Sequence, residues 1–208
     1  MAHGSSGKHN GTMENSSDPS FLTSENKRHL LSLATTSIQH GLEYGKAAEA
    51  QAEDLAGILG EKGASFVTLH KNNRLRGFIG YLEAKRPLAI DVLENAYSSA
   101  FRDSRFPPLQ VEEWESLDIK ISVLSHSVPI TFHSEADLIQ QLRPGTDGLT
   151  LTEGNLRGTF LPSVWSDLTS PELFLQHLKQ KAKLPGDYWS ETLTVERYTT
   201  IEFGEEDV

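Results

Sequence analysis

The sequence predicts an α+β fold with a largely antiparallel sheet, flanking helices and two unequal lobes. Two β-rich segments each run through a short Asn- or Gly-containing turn into a returning strand, which is typical of antiparallel hairpins. Segments of helical periodicity lie between the hairpins, without the regular strand–helix alternation of parallel sheets. The returning strands Asn72–Gly80 and Gly154–Phe160 also share a Leu-Arg-Gly sequence, which is consistent with two similar hairpin-and-helix lobes.

The first predicted element is an amphipathic helix. It begins at Thr23 or Ser24, because both residue types cap helices, and it ends at Gly41 and Gly45. Its apolar residues recur at helical spacing, so one face is expected in the core. The following stretch, 46–59, is rich in alanine and acidic residues and is either a short helix or a long connection.

A hairpin and a second helix follow. The hairpin joins 64–70 to 74–82 through Asn72 and Asn73, since asparagine tolerates the left-handed backbone conformation that a tight turn needs. Pro87 lies in the first turn of the helix, where a missing N–H costs no hydrogen bond. The two prolines of "RFPPL" then end that helix, because proline cannot continue it.

The C-terminal half is predicted to contain two further strands, a second hairpin and two short helices. "LDIKISVLS" alternates as a half-buried strand, and Ser134 opens a short helix that ends at Leu142. The second hairpin turns at Gly154 and Asn155 into "LRGTFL". A helix starts at Ser170, and one closing strand runs from about Leu193 to Phe203.

Composition excludes several classes of function. The chain has 208 residues, a formal net charge of −10 and no cysteine, which rules out disulfides, thiolate nucleophiles and cysteine-based metal sites. The acidic balance argues against a nucleic-acid partner, and the chain has no apolar run of membrane-spanning length. We therefore expect a cytoplasmic protein with a polar leader or tag over 1–20 and a single domain over 21–208. The eight histidines lack metal-site spacing, so neither a metal nor a cofactor is expected.

One segment departs from the acidic balance. Between Lys71 and Arg105 there are seven basic and four acidic residues. A cationic segment in an acidic chain indicates either a small anionic ligand or a set of solvated arginines.

The first candidate site is formed by Arg76, Gly77 and Gly80. A guanidinium beside bare backbone N–H groups suits a carboxylate or phosphate. Alternatively, Arg76 pairs with an internal acid and Gly77 fits beneath a packed helix.

The second candidate site is formed by Arg102, Asp103 and Arg105. It is either a structural ion-pair cluster at the end of the second helix or an anion-binding group. An aspartate between cations has a lowered pKa and is a poor general base at neutral pH, which favours binding over proton transfer.

The third candidate site comprises Arg157, Gly158 and Thr159, which repeat the pattern of the first hairpin. Trp165 offers an aromatic surface nearby in sequence, although a core position is the simpler interpretation. If Arg76 and Arg157 reached one cleft, the two hairpins would form a single anion site.

Several motifs in a fixed order resemble the AMMECR-type domain, also called the AmmeMemoRadiSam system protein A family. They are "FVTLHKNNRLRGFIG", "PLAIDVLENA", "AFRDSRFPPL", "SVLS", "RPGTDGLTL", "LRGTFLPSVW" and "FLQHLKQKAKLPGDYW". The resemblance implies a two-lobed α+β fold without an established activity, and Memo-type and radical-SAM proteins as partners. The family commonly has cysteine where this chain has Phe78 and Lys179, so thiol chemistry cannot apply here.

Two functions are consistent with these features. One is a binding module whose arginine-lined cleft takes a small anionic ligand or a partner protein. The other is an enzyme, or a subunit of one, that acts on an anionic metabolite in a modification or redox pathway. The sequence does not decide whether the protein is an enzyme.

Overall fold

The computed structural model describes residues 22–208, so the leader expected over 1–20 lies outside the described residues. The helices are α1 Ser24–Tyr44, α2 Leu88–Phe101, α3 Glu135–Gln141 and α4 Pro171–Lys181. The strands are β1 Lys62–Gly63, β2 Ser65–Lys71, β3 Arg74–Gly80, β4 Arg86–Pro87, β5 Leu117–Leu124, β6 Val128–Pro129, β7 Gly148–Glu153, β8 Leu156–Phe160, β9 Thr194–Tyr198 and β10 Thr200–Gly204. All strand pairs are antiparallel, which confirms the predicted α+β class.

Helix α1 has the predicted ends, with one exception. The Thr23 hydroxyl accepts a hydrogen bond from the Asn26 N–H at 3.1 Å, and Gly45 ends the helix in the left-handed conformation at φ 71°. Gly41 was expected to help end the helix but lies inside it. A β-carbon there would lie 2.3 Å from the Phe101 ring, so this glycine serves the close packing of α1 on α2.

The first lobe consists of α1, α2 and a four-stranded sheet in the order β10-β5-β2-β3. Its hairpin turns through Asn72 and Asn73, whose φ angles of 51° and 59° are left-handed as expected. The stretch 46–59 is a connection with two 3₁₀ turns, Ala52–Leu55 and Gly57–Gly60. The apolar faces of α1, α2 and this sheet form one core.

The second lobe consists of α3, α4 and a four-stranded sheet in the order β6-β9-β7-β8. Strand β7 alternates, so Leu149 and Leu151 join the core beneath α4, while Thr150 lies on the opposite face. Trp165 is in this core, stacked on Phe174 with 3.8 Å between the ring centroids. Trp165 is therefore a core residue, as the simpler interpretation of the sequence held.

The closing strand differs from the prediction, because it is two strands in two sheets. Strand β9 pairs with β7 in the second lobe, whereas β10 pairs with β5 in the first. The chain changes sheets at Thr199, whose N–H donates to the Ser125 hydroxyl at 2.9 Å and whose carbonyl accepts from the Ser125 N–H at 2.8 Å. Phe66, Leu124 and Tyr198 form a small apolar cluster beside this crossing.

Candidate functional site

Two equivalent glycines let a helix lie directly on each hairpin. A β-carbon on Gly77 would lie 2.2 Å from the Ser99 carbonyl oxygen of α2. A β-carbon on Gly158 would lie 2.7 Å from the Ala182 nitrogen at the end of α4. In each lobe, therefore, the glycine of Leu-Arg-Gly faces a helix backbone, and the neighbouring arginine lies on the opposite face of the strand.

Gly80 also lies at a close approach. A β-carbon there would lie 2.4 Å from both the Phe66 ring and the Ser65 carbonyl oxygen. The small residue therefore accommodates the neighbouring strand, and whether Gly77 and Gly80 bind a ligand stays a prediction.

Arg76 is held in a buried ion pair. Its Nε and Nη2 atoms donate to the two carboxylate oxygens of Glu113 at 3.0 and 2.9 Å, and Nη2 also donates to the Pro107 carbonyl at 2.9 Å. Lys71 donates to the same carboxylate at 2.9 Å. Hydrogen bonding by Arg76, followed by that of Lys71, lowers the pKa of Glu113 to about 2. The pair ties the segment after α2 to the outer strand of the first sheet.

Asp103 and Arg105 form a second cluster at the end of α2. Arg105 donates to both carboxylate oxygens of Asp103, at 2.9 and 2.6 Å, and the Phe78 N–H donates to the same group at 2.9 Å. The Arg105 hydrogen bonds hold the pKa of Asp103 well below its usual range. Arg102 is exposed, with its guanidinium 4.9 Å from the Tyr97 ring centroid. These contacts fit the first alternative for Arg102, Asp103 and Arg105, a structural ion-pair cluster at the end of α2.

A cavity of about 290 Å³ lies between the lobes. The second lobe supplies one wall from the polar face of β7, β8 and β9. The first lobe supplies the other wall from the segments around β1, after β3 and at the end of β5. The polar residues of the lining are Glu61, Lys62, Glu83, Ser125, His126, Ser127, Thr150, Arg157, Glu196 and Tyr198.

Arg157 is the predicted site residue that lines this cavity. Its guanidinium is about half exposed, and it donates to Glu83 at 3.0 Å. Lys85 also pairs with Glu83, at 2.8 Å, and Lys85 and then Arg157 lower the pKa of that carboxyl. Arg157 is thus a cation at a solvent-reachable cavity whose protein partner is itself exposed.

Arg76 and Arg157 do not meet. Arg76 lines an open groove at the tip of the first hairpin, together with Lys71, Arg74 and Glu113, whereas Arg157 lines the interlobe cavity. The shared cleft expected from the sequence is therefore not what the structure has. The two hairpins are equivalent within their own lobes, but each lobe turns its arginine towards different surroundings.

A chain of hydroxyl groups forms the floor of the interlobe cavity. The Thr159 hydroxyl lies 3.2 Å from those of Thr150 and Tyr198, and the Tyr198 hydroxyl donates to the Phe160 carbonyl at 2.9 Å. Burial raises the pKa of Tyr198 to about 12. Tyr198 is therefore a neutral phenol at physiological pH.

Most of the cavity lining was missed by reasoning from the sequence. Of the nine predicted residues, Arg157 lines the cavity, and Thr159 reaches it through Thr150 and Tyr198. The alternation of leucine and threonine in 148–153 was the one available signal, because it gives β7 a polar face. Tyr198 and Glu196 had no such signal, since their position depends on the chain changing sheets at Thr199.

Phe78 and Lys179, the two positions where the resemblance implied cysteine, pack against aromatic rings. Phe78 stacks on Phe66 with 5.3 Å between the centroids, in the apolar cluster between the lobes. Lys179 is fully buried, pairs with Glu135 and lies 5.7 Å from the Trp189 ring centroid. Both side chains take packing roles in this chain.

Within residues 22–208, no group of three or more histidine, aspartate or glutamate side chains is placed to hold a metal ion. In the same part of the chain, no helix is both long and apolar enough to cross a membrane.

The fold and cavity define a two-lobed α+β domain, and comparison with known proteins gives its family. The AMMECR1 family model matches residues 31–203, and the chain belongs to that family. A protein of Methanothermobacter thermautotrophicus is 36% identical over 167 residues, which cover 80% of this chain and 86% of the relative. A protein of Thermofilum pendens is 34% identical over 179 residues, covering 81% and 84%.

The family likeness extends to a solved structure. The crystal structure of an uncharacterised protein from Pyrococcus horikoshii has a TM-score of 0.71 and 34% sequence identity. The match covers 86% of this chain and 90% of that one. The fold is therefore shared with that protein.

Proposed function

We propose that this AMMECR1-family protein is a binding module that takes a small ligand with a carboxylate or phosphate group in the interlobe cavity. The observation that carries the proposal is Arg157, a half-exposed guanidinium at a cavity of about 290 Å³. That volume is just below the usual range of small-molecule sites, roughly 300–1,000 Å³, so the ligand is a small metabolite.

Arg157 is a better anion ligand than the other candidate arginines. Arg76 donates through Nε and Nη2 to Glu113 and Pro107, and its remaining nitrogen, Nη1, has no partner but is buried, so an incoming anion finds no exposed donor on it. Arg105 is about half exposed, but two of its nitrogens donate to the buried carboxylate of Asp103. The pair between Arg157 and Glu83 is exposed on both sides, and exposed pairs contribute little and exchange readily.

The carboxylates that form the ion pairs of Arg76 and Arg105, outside the cavity, are poor proton acceptors, which favours binding over catalysis at those positions. Asp103 and Glu113 have strongly lowered pKa values, so neither accepts a proton near neutral pH. Tyr198 keeps its proton, so its hydroxyl and those of Thr150 and Thr159 serve as hydrogen-bonding groups for a ligand. A Memo-type or radical-SAM partner stays a separate prediction from the family resemblance.

Calorimetric titration with simple anions tests the proposal. Inorganic phosphate, ethyl phosphate and butyrate are titrated into the wild-type protein, Arg157→Gln and Arg102→Gln. Arg102 is the matched control, since it is an exposed arginine that does not line the cavity. We expect at least one anion to bind the wild-type protein and Arg102→Gln equally, and Arg157→Gln about tenfold more weakly. Binding that survives Arg157→Gln unchanged would contradict the proposal.

A further inference from the structure

A carboxylate without a partner faces the same cavity as Arg157. Glu196 lies on β9, is partly buried and lines the interlobe cavity. Within residues 22–208, its carboxylate takes part in no ion pair or side-chain hydrogen bond. Glu196 is not among the residues whose buried side-chain oxygens lack a partner, so its carboxylate reaches the cavity and is free to accept hydrogen bonds from a ligand there.

The register of the second sheet places this carboxylate relative to Arg157. Glu196 lies opposite Thr150, and Thr150 lies opposite Thr159, so the three share one row across β9, β7 and β8. Arg157 lies two residues from Thr159 on the same strand face. From strand spacing and rise, the α-carbons of Glu196 and Arg157 are roughly 12 Å apart.

Two long side chains of opposite charge therefore rise from one polar sheet face, with hydroxyl groups between them. Both side chains are several bonds long, so their charged ends can approach each other more closely than their α-carbons do. A ligand only a few bonds long can then bridge the guanidinium and the carboxylate. The lining as a whole has the same mixed character: Glu61, Glu83 and Glu196 oppose Lys62 and Arg157. A purely anionic ligand would leave Glu196 facing it without compensation.

We infer that the ligand of this cavity is a small zwitterion, with an anionic group bound by Arg157 and an ammonium group bound by Glu196. This inference rests on the proposed function and specifies the class of ligand. The anionic end takes the place of Glu83 on the Arg157 guanidinium. The ammonium end donates to the Glu196 carboxylate and to the Thr150 and Tyr198 oxygens, which suits a group with three donors.

Matched pairs of probes test the inference by calorimetric titration. γ-Aminobutyrate is compared with butyrate, and O-phosphoethanolamine with ethyl phosphate, so that each pair differs in the ammonium group. The variants are Glu196→Gln, which keeps the shape and removes the charge, and Glu202→Gln as control. Glu202 is an exposed glutamate on β10 that does not line the cavity.

We expect at least one aminated probe to bind about tenfold or more tightly than its partner, and Glu196→Gln to abolish that preference. Glu202→Gln should behave as the wild-type protein does. Equal affinity for both members of a pair, or a preference that persists in Glu196→Gln, overturns the zwitterion while leaving the anion site intact. If no probe of either pair binds, the proposed function itself fails.

Discussion

Replacing Arg76 by alanine tests whether this arginine serves the fold. Removing one partner of a buried ion pair costs about 3–5 kcal/mol when the remaining charge has no compensation. Here Lys71 still pairs with Glu113, whose side chain is 16% exposed, so part of the charge stays compensated. The lowering of the Glu113 pKa from 4.5 to about 2 corresponds to at most about 3 kcal/mol, reduced by solvent screening. We therefore expect Arg76→Ala to lower the free energy of unfolding by about 2 kcal/mol.

Urea unfolding at pH 7 measures this change, with Arg74→Ala as the control. Arg74 lies on the same strand, is exposed and has no ion pair within residues 22–208, so its removal should cost less than about 0.5 kcal/mol. The cost of Arg76→Ala should also shrink as the pH falls from about 4.5 towards 2. The Glu113 carboxyl has a pKa of 4.5 in the unfolded chain and about 2 in the folded protein. The ion pair therefore stabilises the fold fully above pH 4.5, and this stabilisation is lost as the pH falls towards 2. Equal stability of the wild-type protein and Arg76→Ala would refute the structural role.

Three further predictions follow from single contacts. Gly77→Ala should lower the free energy of unfolding by about 1–3 kcal/mol, since its β-carbon would lie 2.2 Å from the Ser99 carbonyl oxygen; an unchanged urea midpoint would contradict this packing. Asp103→Asn should cost about 1.5–3 kcal/mol at pH 7, because it weakens charge-assisted bonds from Arg105 and Phe78. That cost should diminish as the pH falls below the usual pKa of aspartate. The folded protein holds the Asp103 pKa below that value, so the charged carboxylate stabilises the fold at higher pH and loses this effect in acid. A cost that stays constant across pH would argue against the ion pair. Tyr198→Phe should remove a phenol that ionises near pH 12 from the ultraviolet absorbance titration, whereas loss of a group titrating near pH 10 would show that Tyr198 is solvated.

The elements that the sequence predicts well are specified by residues close together in the chain. Thr23 caps α1 through Asn26, three residues away, and Asn72 and Asn73 form the turn between adjacent strands. Alternation in "LDIKISVLS" likewise reports which face of β5 is buried. Local backbone preference and periodicity are sufficient for such features.

The relation between the lobes was not predictable in the same way. The pairing of β9 with one sheet and β10 with the other depends on partners more than 40 residues away, and nothing in 193–203 marks the change at Thr199. The cavity and its Glu196 wall exist because of that crossing. Whether Arg76 and Arg157 reach one cleft depends on the same long-range arrangement, since each hairpin belongs to its own lobe and sheet.

Chemical-shift mapping by NMR tests the location of the binding site most directly. O-Phosphoethanolamine is titrated into the isotope-labelled protein while backbone amide signals are followed. We expect the shifts to concentrate on β7, β8 and β9 around Thr150, Arg157 and Glu196, and the tip of the first hairpin, 71–76, to be unaffected. Shifts confined to 71–76, with none on the second sheet, would contradict it and make the Arg76 groove the anion site.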